Sequence, residues 1–244
     1  MKYVSIIPRA RIGFIIPTSN RMVEPQMTRL MPAGVVPHFT RIRMTNKHAA
    51  PLDQLVPRIV DASEMLAESK CDVIVLQCTG TSMSSGVETE KEVMAAIEKA
   101  TGCHAVSAAS SLMAAFAALK AKKLVFISEA SQALHEKKLS YLREAGFTLL
   151  ADKAMSLPNS DAFCTAPPEL WFNETMALHR DDADAYFISC ANIHSVDVIE
   201  DLERSLGKPV VTSNQAALWR SLRQAGIFDS VPGLGHLLRH DAVA

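Results

Sequence analysis

Two cysteines of this chain stand at matching places in a repeated pattern. Cys78 follows the apolar run Asp72 to Gln77 (DVIVLQ), and Cys190 follows Asp184 to Ser189 (DAYFIS). After each come small polar residues, a helical stretch, and a glycine opening a second apolar run, Gly102 to Val106 and Gly207 to Val211. Ser107 and Ser213 then introduce the next helices as polar caps. A residue that leaves a parallel strand and enters a helix meets unpaired N–H groups and the positive end of the helix dipole. That placement draws a thiol pKa toward neutrality and makes the sulfur a base or a nucleophile. The same N–H groups hold carboxylates, with Thr79, Gly80, Thr81 and Ser82 beside Cys78, and Ala191 and Asn192 beside Cys190. A single cysteine at a strand end is more often a small buried hydrophobe. Two at equivalent positions of a repeat argue for a catalytic pair. Cys71 and Cys103 lack such mates and read as packing residues, and Cys164 reads as a loop thiol without an assigned role.

A third candidate segment is Pro17-Thr18-Ser19-Asn20, directly after the first apolar strand, with Glu24 four residues beyond Asn20. A turn and helix cap would account for these types. The loop also leaves a strand end, so Thr18, Ser19 and Asn20 face the same cleft as the cysteines. The Asn20 amide has two N–H donors suited to a carboxylate. Eight histidines are present, none at a repeated strand end: His104 enters a strand, and His194 either tunes Cys190 or caps a helix. No GxSxG elbow, P-loop or GxGxxG follows a strand, so serine hydrolysis and nucleotide binding have no support.

The elements that must position these groups are legible in the periodicity. Arg11 to Ile16 reads as a first strand, Pro25 opens a short helix, and Val35 to Met44 alternates as a half-exposed strand. Leu52 to Ser69 has apolar residues three and four apart, an amphipathic helix. Helices are expected over Val87 to Ala100, Ser107 to Ala121, Gln132 to Ala145, Leu170 to His179, Ser195 to Leu206 and Asn214 to Ala225, with strands at Leu124 to Ile127 and from Gly146 to Leu150. Residues 151–169 read as a crossover loop, and PGLGHLLRH near the end shows no period. The alternation specifies an α/β fold of two pseudo-symmetric lobes, each a mostly parallel sheet flanked by helices, with the active site between them. The expected division is 1–106 plus 212–244 for the first lobe and 107–211 for the second.

Composition excludes several classes of partner. The 244 residues are 48% hydrophobic, enough for a substantial core, and the net charge of −1 with 6% aromatics offers neither a basic face nor stacking platforms. Nucleic acid and membrane are therefore not expected as partners, and the ligand is small. The N-terminal MKYVSIIPRARIGFIIP is broken by Pro8, Arg9 and Arg11 and does not read as a signal peptide. Five cysteines at irregular spacing read as reduced thiols of a cytoplasmic protein. Without a CxxC spacing, no metal site is expected.

PTSNRMVE, DVIVLQCTGTS and YFISCANIHSVDVIEDLERSLGKPVVTSNQAALW together resemble the aspartate/glutamate racemase superfamily, and within it the branch of maleate cis-trans isomerases and arylmalonate decarboxylases. The likeness covers nearly the whole chain. It implies a buried site between two lobes, Cys78 as nucleophile or first base, Cys190 as its partner, Asn20 as a carboxylate-binding residue, and Asn159 as a second one. It also implies a homodimer or homotetramer and chemistry without cofactor. One departure bears on the substrate: where the branch carries a tyrosine after the strand ending at Ile127, this chain reads Ser128-Glu129-Ala130-Ser131. The expected reaction is cis-trans isomerisation of maleate or a related enedioate. Competing expectations are a two-base amino-acid or hydantoin-type racemase, an arylmalonate-type decarboxylase, and a carboxylate-binding protein that retains the fold without turnover.

Overall fold

The computed structural model describes residues 7–45 and 48–239; the first six residues of the N-terminal segment and residues 240–244 of the tail lie outside them. In chain order the elements are β1 (Ala10–Pro17), α1 (Val23–Leu30), β2 (Val35–Ile42), α2 (Leu52–Glu68), β3 (Val73–Leu76), α3 (Thr79–Met83), α4 (Val87–Thr101), β4 (His104–Ser107) and α5 (Ala108–Ala118). They continue with β5 (Lys123–Ser128), α6 (Gln132–Glu144), β6 (Thr148–Ala154), α7 (Ser160–Thr165), α8 (Pro168–Ala177), β7 (Ala185–Ser189), a 3-10 turn (Ser195–Val198), α9 (Ile199–Leu206), β8 (Val210–Thr212), α10 (Ser213–Gln224) and α11 (Gly235–Arg239). No described helix is long and apolar enough to cross a membrane.

Two four-stranded parallel sheets result, ordered β2-β1-β3-β4 and β6-β5-β7-β8. The orders are the same once the second set is renumbered, as the repeat requires. Strands VIVL and AYFIS are buried on both faces, because helices cover both sides of a parallel sheet. The repeated aspartates that open these runs act alike. Asp72 accepts from the Arg11 N–H, and Asp184 from the N–H groups of Lys122 and Lys123, tying the start of each strand to its neighbour. The repeated glycines also act alike: Gly102 and Gly207 end α4 and α9 with φ of 70° and 63°, a left-handed conformation that glycine adopts without a Cβ penalty.

Helices α5 and α10 pack on each other where the sheets meet. One continuous apolar cluster therefore runs from Ile12 and Phe14 of the first sheet to Phe126 and Phe187 of the second. Ser107 caps α5 through a capping box with Ser110, as its type predicts. At α10 the cap is Thr212, boxed with Gln215, and Ser213 is the first helical residue. Its hydroxyl accepts instead from the Cys190 N–H at 3.1 Å. The expected loop 151–169 is shorter than its three prolines suggest. β6 runs on to Ala154, α7 forms behind the Asn159 cap, and Pro168 sits at a helix start where its missing N–H costs nothing. The apparent triad Ser128, His135 and Asp152 (2.7 and 3.0 Å) ties β5, α6 and β6 together, with the Ser128 side chain sealed in the core.

Candidate active site

In each sheet the strand order reverses direction between its first and third strands in sequence, β1 and β3 in one, β5 and β7 in the other. Open α/β sheets bind ligands at the carboxyl ends of strands at such switch points. Four segments leave the sheets there: Thr18 to Asn20 after β1, Cys78 after β3, Glu129 after β5 and Cys190 after β7. They converge on a cavity of about 580 Å³ between the lobes. Cys78, Cys190, Ser19, Asn20, Thr79, Gly80, Ala191 and Asn192 all line it.

Two expected residues do not reach it. Thr18 is exposed and absent from the lining. Asn159 is exposed, and its side-chain oxygen accepts from the N–H groups of Asp161 and Ala162, so it caps α7 rather than facing the cleft. Its neighbours Pro158 and Ser160 line the cavity in its place. The cap fixes this side chain at the exposed start of α7, so its N–H donors are not brought to the cavity.

Asn20 lines the cavity and also serves the start of α1. Its oxygen accepts from the N–H groups of Met22 and Val23 at the start of α1, and its amide donates to the Ala191 carbonyl across the lobe boundary at 3.0 Å. One of its two N–H donors is thus committed to holding the Cys190 loop. Asn214 donates to the same carbonyl and to Gln26, and it accepts from Gln77. This buried polar network fixes the backbone beside the second cysteine. It also holds strain: Cys190 has φ of 128°, a conformation rare for a residue with a Cβ and characteristic of functional turns.

The two thiols are both buried but differ in surroundings. Burial pushes Cys78 up from its ordinary pKa, opposed by hydrogen bonds from Thr81 and by the Lys138 ammonium, with the Glu129 carboxylate as a smaller raising influence. Its sulfur lies 3.1 Å from the Thr81 hydroxyl. The expectation of a thiol drawn down toward neutrality is therefore not met at the ground state, because burial outweighs the donors at the start of the five-residue α3. Cys190 is pushed up further, by burial first and then by the Glu129 carboxylate, with Lys138 and the Asn192 N–H opposing. His194 does not tune Cys190; its ring bonds the Cys164 carbonyl at 2.9 Å. Cys164 itself donates to the Asn192 side chain.

Glu129 and Lys138 form a buried ion pair at 2.9 and 3.1 Å, and Lys138 also donates to the Ser189 hydroxyl. The carboxylate lines the cavity. Glu129 was visible in sequence as a departure, and the signal that places it in the cleft is its position after β5, the counterpart of the Pro17 to Asn20 loop after β1. Lys138 carried no signal, because a lysine on an amphipathic helix ordinarily faces solvent.

A family model described as arylmalonate decarboxylase matches residues 12–238. A maleate isomerase of Nocardia farcinica is 28% identical over 242 residues, covering 95% of this chain and 96% of that protein. The arylmalonate decarboxylase of Bordetella bronchiseptica is 22% identical, covering 93% and 95%. Among solved structures, the Nocardia farcinica maleate cis-trans isomerase bound to TRIS superposes with a TM-score of 0.88 at 26% identity, over 96% of this chain and all of that one. A cysteine-to-serine mutant of the Nocardia enzyme, with a covalently bound succinylcysteine intermediate, superposes at 0.85 with 24% identity. With the paired thiols at matched strand ends and a family match that spans both lobes, the chain belongs to the arylmalonate decarboxylase family.

Proposed function

We propose that the protein is a cofactor-independent cis-trans isomerase of maleate or a closely related cis-enedioate. The observation that carries this reading is the pair of thiols, Cys78 and Cys190, lining one cavity from opposite lobes at matched strand ends. Cys78, as thiolate, adds to one alkene carbon, and the electron pair of the double bond moves to the neighbouring carbon, stabilised by its carboxylate. Cys190 gives its proton to that carbon. The former double bond, now single, rotates. Cys190 then takes a proton back, the electron pair reforms the alkene in the trans geometry, and Cys78 leaves as thiolate.

In this reading Thr79, Gly80, Ser19, the free N–H of Asn20, Ala191 and Asn192, all in the cavity lining, hold the carboxylates and the charge that develops on addition. A succinylcysteine of the kind held by the Nocardia mutant is the adduct this scheme expects on Cys78. A two-base racemase would use the same thiols. It exchanges one proton equivalently between them, so a carboxylate at the strand partner of Cys190, with a proline at that of Cys78, favours the isomerase. The reading includes a cytoplasmic homodimer or homotetramer acting on a small carboxylate, with light scattering to check the assembly.

Proton NMR of maleate incubated in D2O tests the proposal. Wild type should yield fumarate, and the Cys78→Ser variant none. Cys190→Ser should lose turnover and, by intact mass, gain one maleate on Cys78. Maleate unchanged by wild type, with deuterium entering the α-position of an amino acid or hydantoin, would replace the isomerase by a racemase.

A further inference from the structure

Ser128 and Ser189 are register partners at the ends of the adjacent strands β5 and β7. The next residues are Glu129 and Cys190, which leave the sheet side by side at its switch point. Both are buried and both line the cavity. Behind them Lys138 on α6, 0% exposed, bonds both carboxylate oxygens of Glu129 and the hydroxyl of Ser189. A row of ammonium, carboxylate and thiol thus ends at the cavity wall, and Cys78 has no carboxylate at its own strand partner, which is Pro17 by continuation of the β1–β3 register.

We propose that Glu129, paired with Lys138, is the positioning residue for Cys190: it accepts the S–H and so makes Cys190 the proton carrier and Cys78 the nucleophile. This rests on the thiol-addition reading above for its catalytic consequence, though not for its chemistry. The carboxylate neither gains nor loses the proton in the net cycle. While Cys190 is a thiol, its S–H points to Glu129. Once the proton has gone to substrate carbon, the thiolate beside Glu129 is disfavoured and takes the proton back, which drives the elimination step. The groups facing Cys190 are Glu129 after β5, Lys138 of α6, Cys78 across the cavity, and Cys164 of α7 through Asn192. Among these, Glu129 and Lys138 carry the fixed charges.

The test reads the thiols without substrate. Iodoacetamide modification is followed against pH, with site-resolved mass spectrometry on the protein as isolated. In wild type Cys78 should modify at lower pH than Cys190. In Glu129→Gln the Lys138 charge is left unbalanced, so Cys190 should modify about tenfold faster at pH 7 or more, while Cys78 changes by less than about threefold. Glu129→Asp should keep the wild-type order. An unchanged Cys190 profile in Glu129→Gln overturns the proposal. If that variant does not fold, Glu129→Gln with Lys138→Met removes both charges, and the Cys190 profile should still move to lower pH; no movement overturns the proposal there too. On maleate, Glu129→Gln should lower kcat about tenfold with KM within about threefold. A moved thiol profile without maleate turnover in wild type would sink the isomerase reading and keep Glu129 as the partner of Cys190. Turnover with an unmoved profile would do the reverse.

Discussion

At the scale of single residues, the site depends on two identical side chains made chemically different. Sulfur is a useful nucleophile only as thiolate, and both thiols are pushed up by burial. Cys78 has the Thr81 hydroxyl and N–H as the first groups to offset that cost, while at Cys190 the Glu129 carboxylate is the largest influence after burial and adds to it. The sign of the pH dependence follows. Below the Cys78 pKa, the thiolate fraction rises tenfold per pH unit, so kcat/KM for maleate should climb from pH 6 through pH 8 by about that slope. It should fall again only where Cys190 loses its proton, at still higher pH. A profile that is flat or declines from pH 6 to 8 in steady-state assays would exclude Cys78 as a nucleophile with a raised pKa.

At the scale of elements, the cleft is held by segments that cross between the lobes. Asn214, at the start of α10, donates to Gln26 of α1 and to Ala191, and accepts from Gln77 at the end of β3. Replacing it by alanine leaves those three groups buried with fewer partners. Unsatisfied buried polar groups cost about 1–3 kcal/mol, so Asn214→Ala should lose roughly that much in urea denaturation. It should also lower kcat more than that loss of folded fraction explains, because the strained Cys190 turn loses one of the two donors on the Ala191 carbonyl. Activity unchanged in a folded Asn214→Ala protein would show that the network is dispensable to the turn. The Glu129–Lys138 pair belongs to this scale as well. Breaking a buried pair by removing one partner is commonly worth about 3–5 kcal/mol, so Lys138→Ala should be more destabilising than Asn214→Ala.

At the scale of the whole molecule, two sheets share one interior. The apolar cluster passes from β1 through α5 and α10 into β5 and β7, so neither lobe can open alone without exposing the other. Trp171 lies in α8 and Trp219 in α10, both fully buried, and report different regions. Tryptophan fluorescence and far-UV circular dichroism should therefore give one coincident denaturant transition. Two separated transitions would mean that the lobes fold as independent units.

Much of this was legible before any coordinates. Regular strands and helices follow from hydrophobic periodicity, and the paired cysteines follow from a repeat whose aspartates and glycines serve the same local purposes twice. Those are properties of short segments, so short segments suffice to reveal them. Asn159 and Thr18 were misplaced because a strand-end loop has many side chains, and its backbone direction decides which of them turn inward. The inward turn of Lys138 and the meeting of Glu129 with Cys190 depend on the register of β5 against β7, a contact between segments some sixty residues apart. Chemistry by paired thiols was thus written in the sequence, whereas the unlike surroundings of the two sulfurs were decided by tertiary packing, because burial and neighbouring charge act through space and not along the chain.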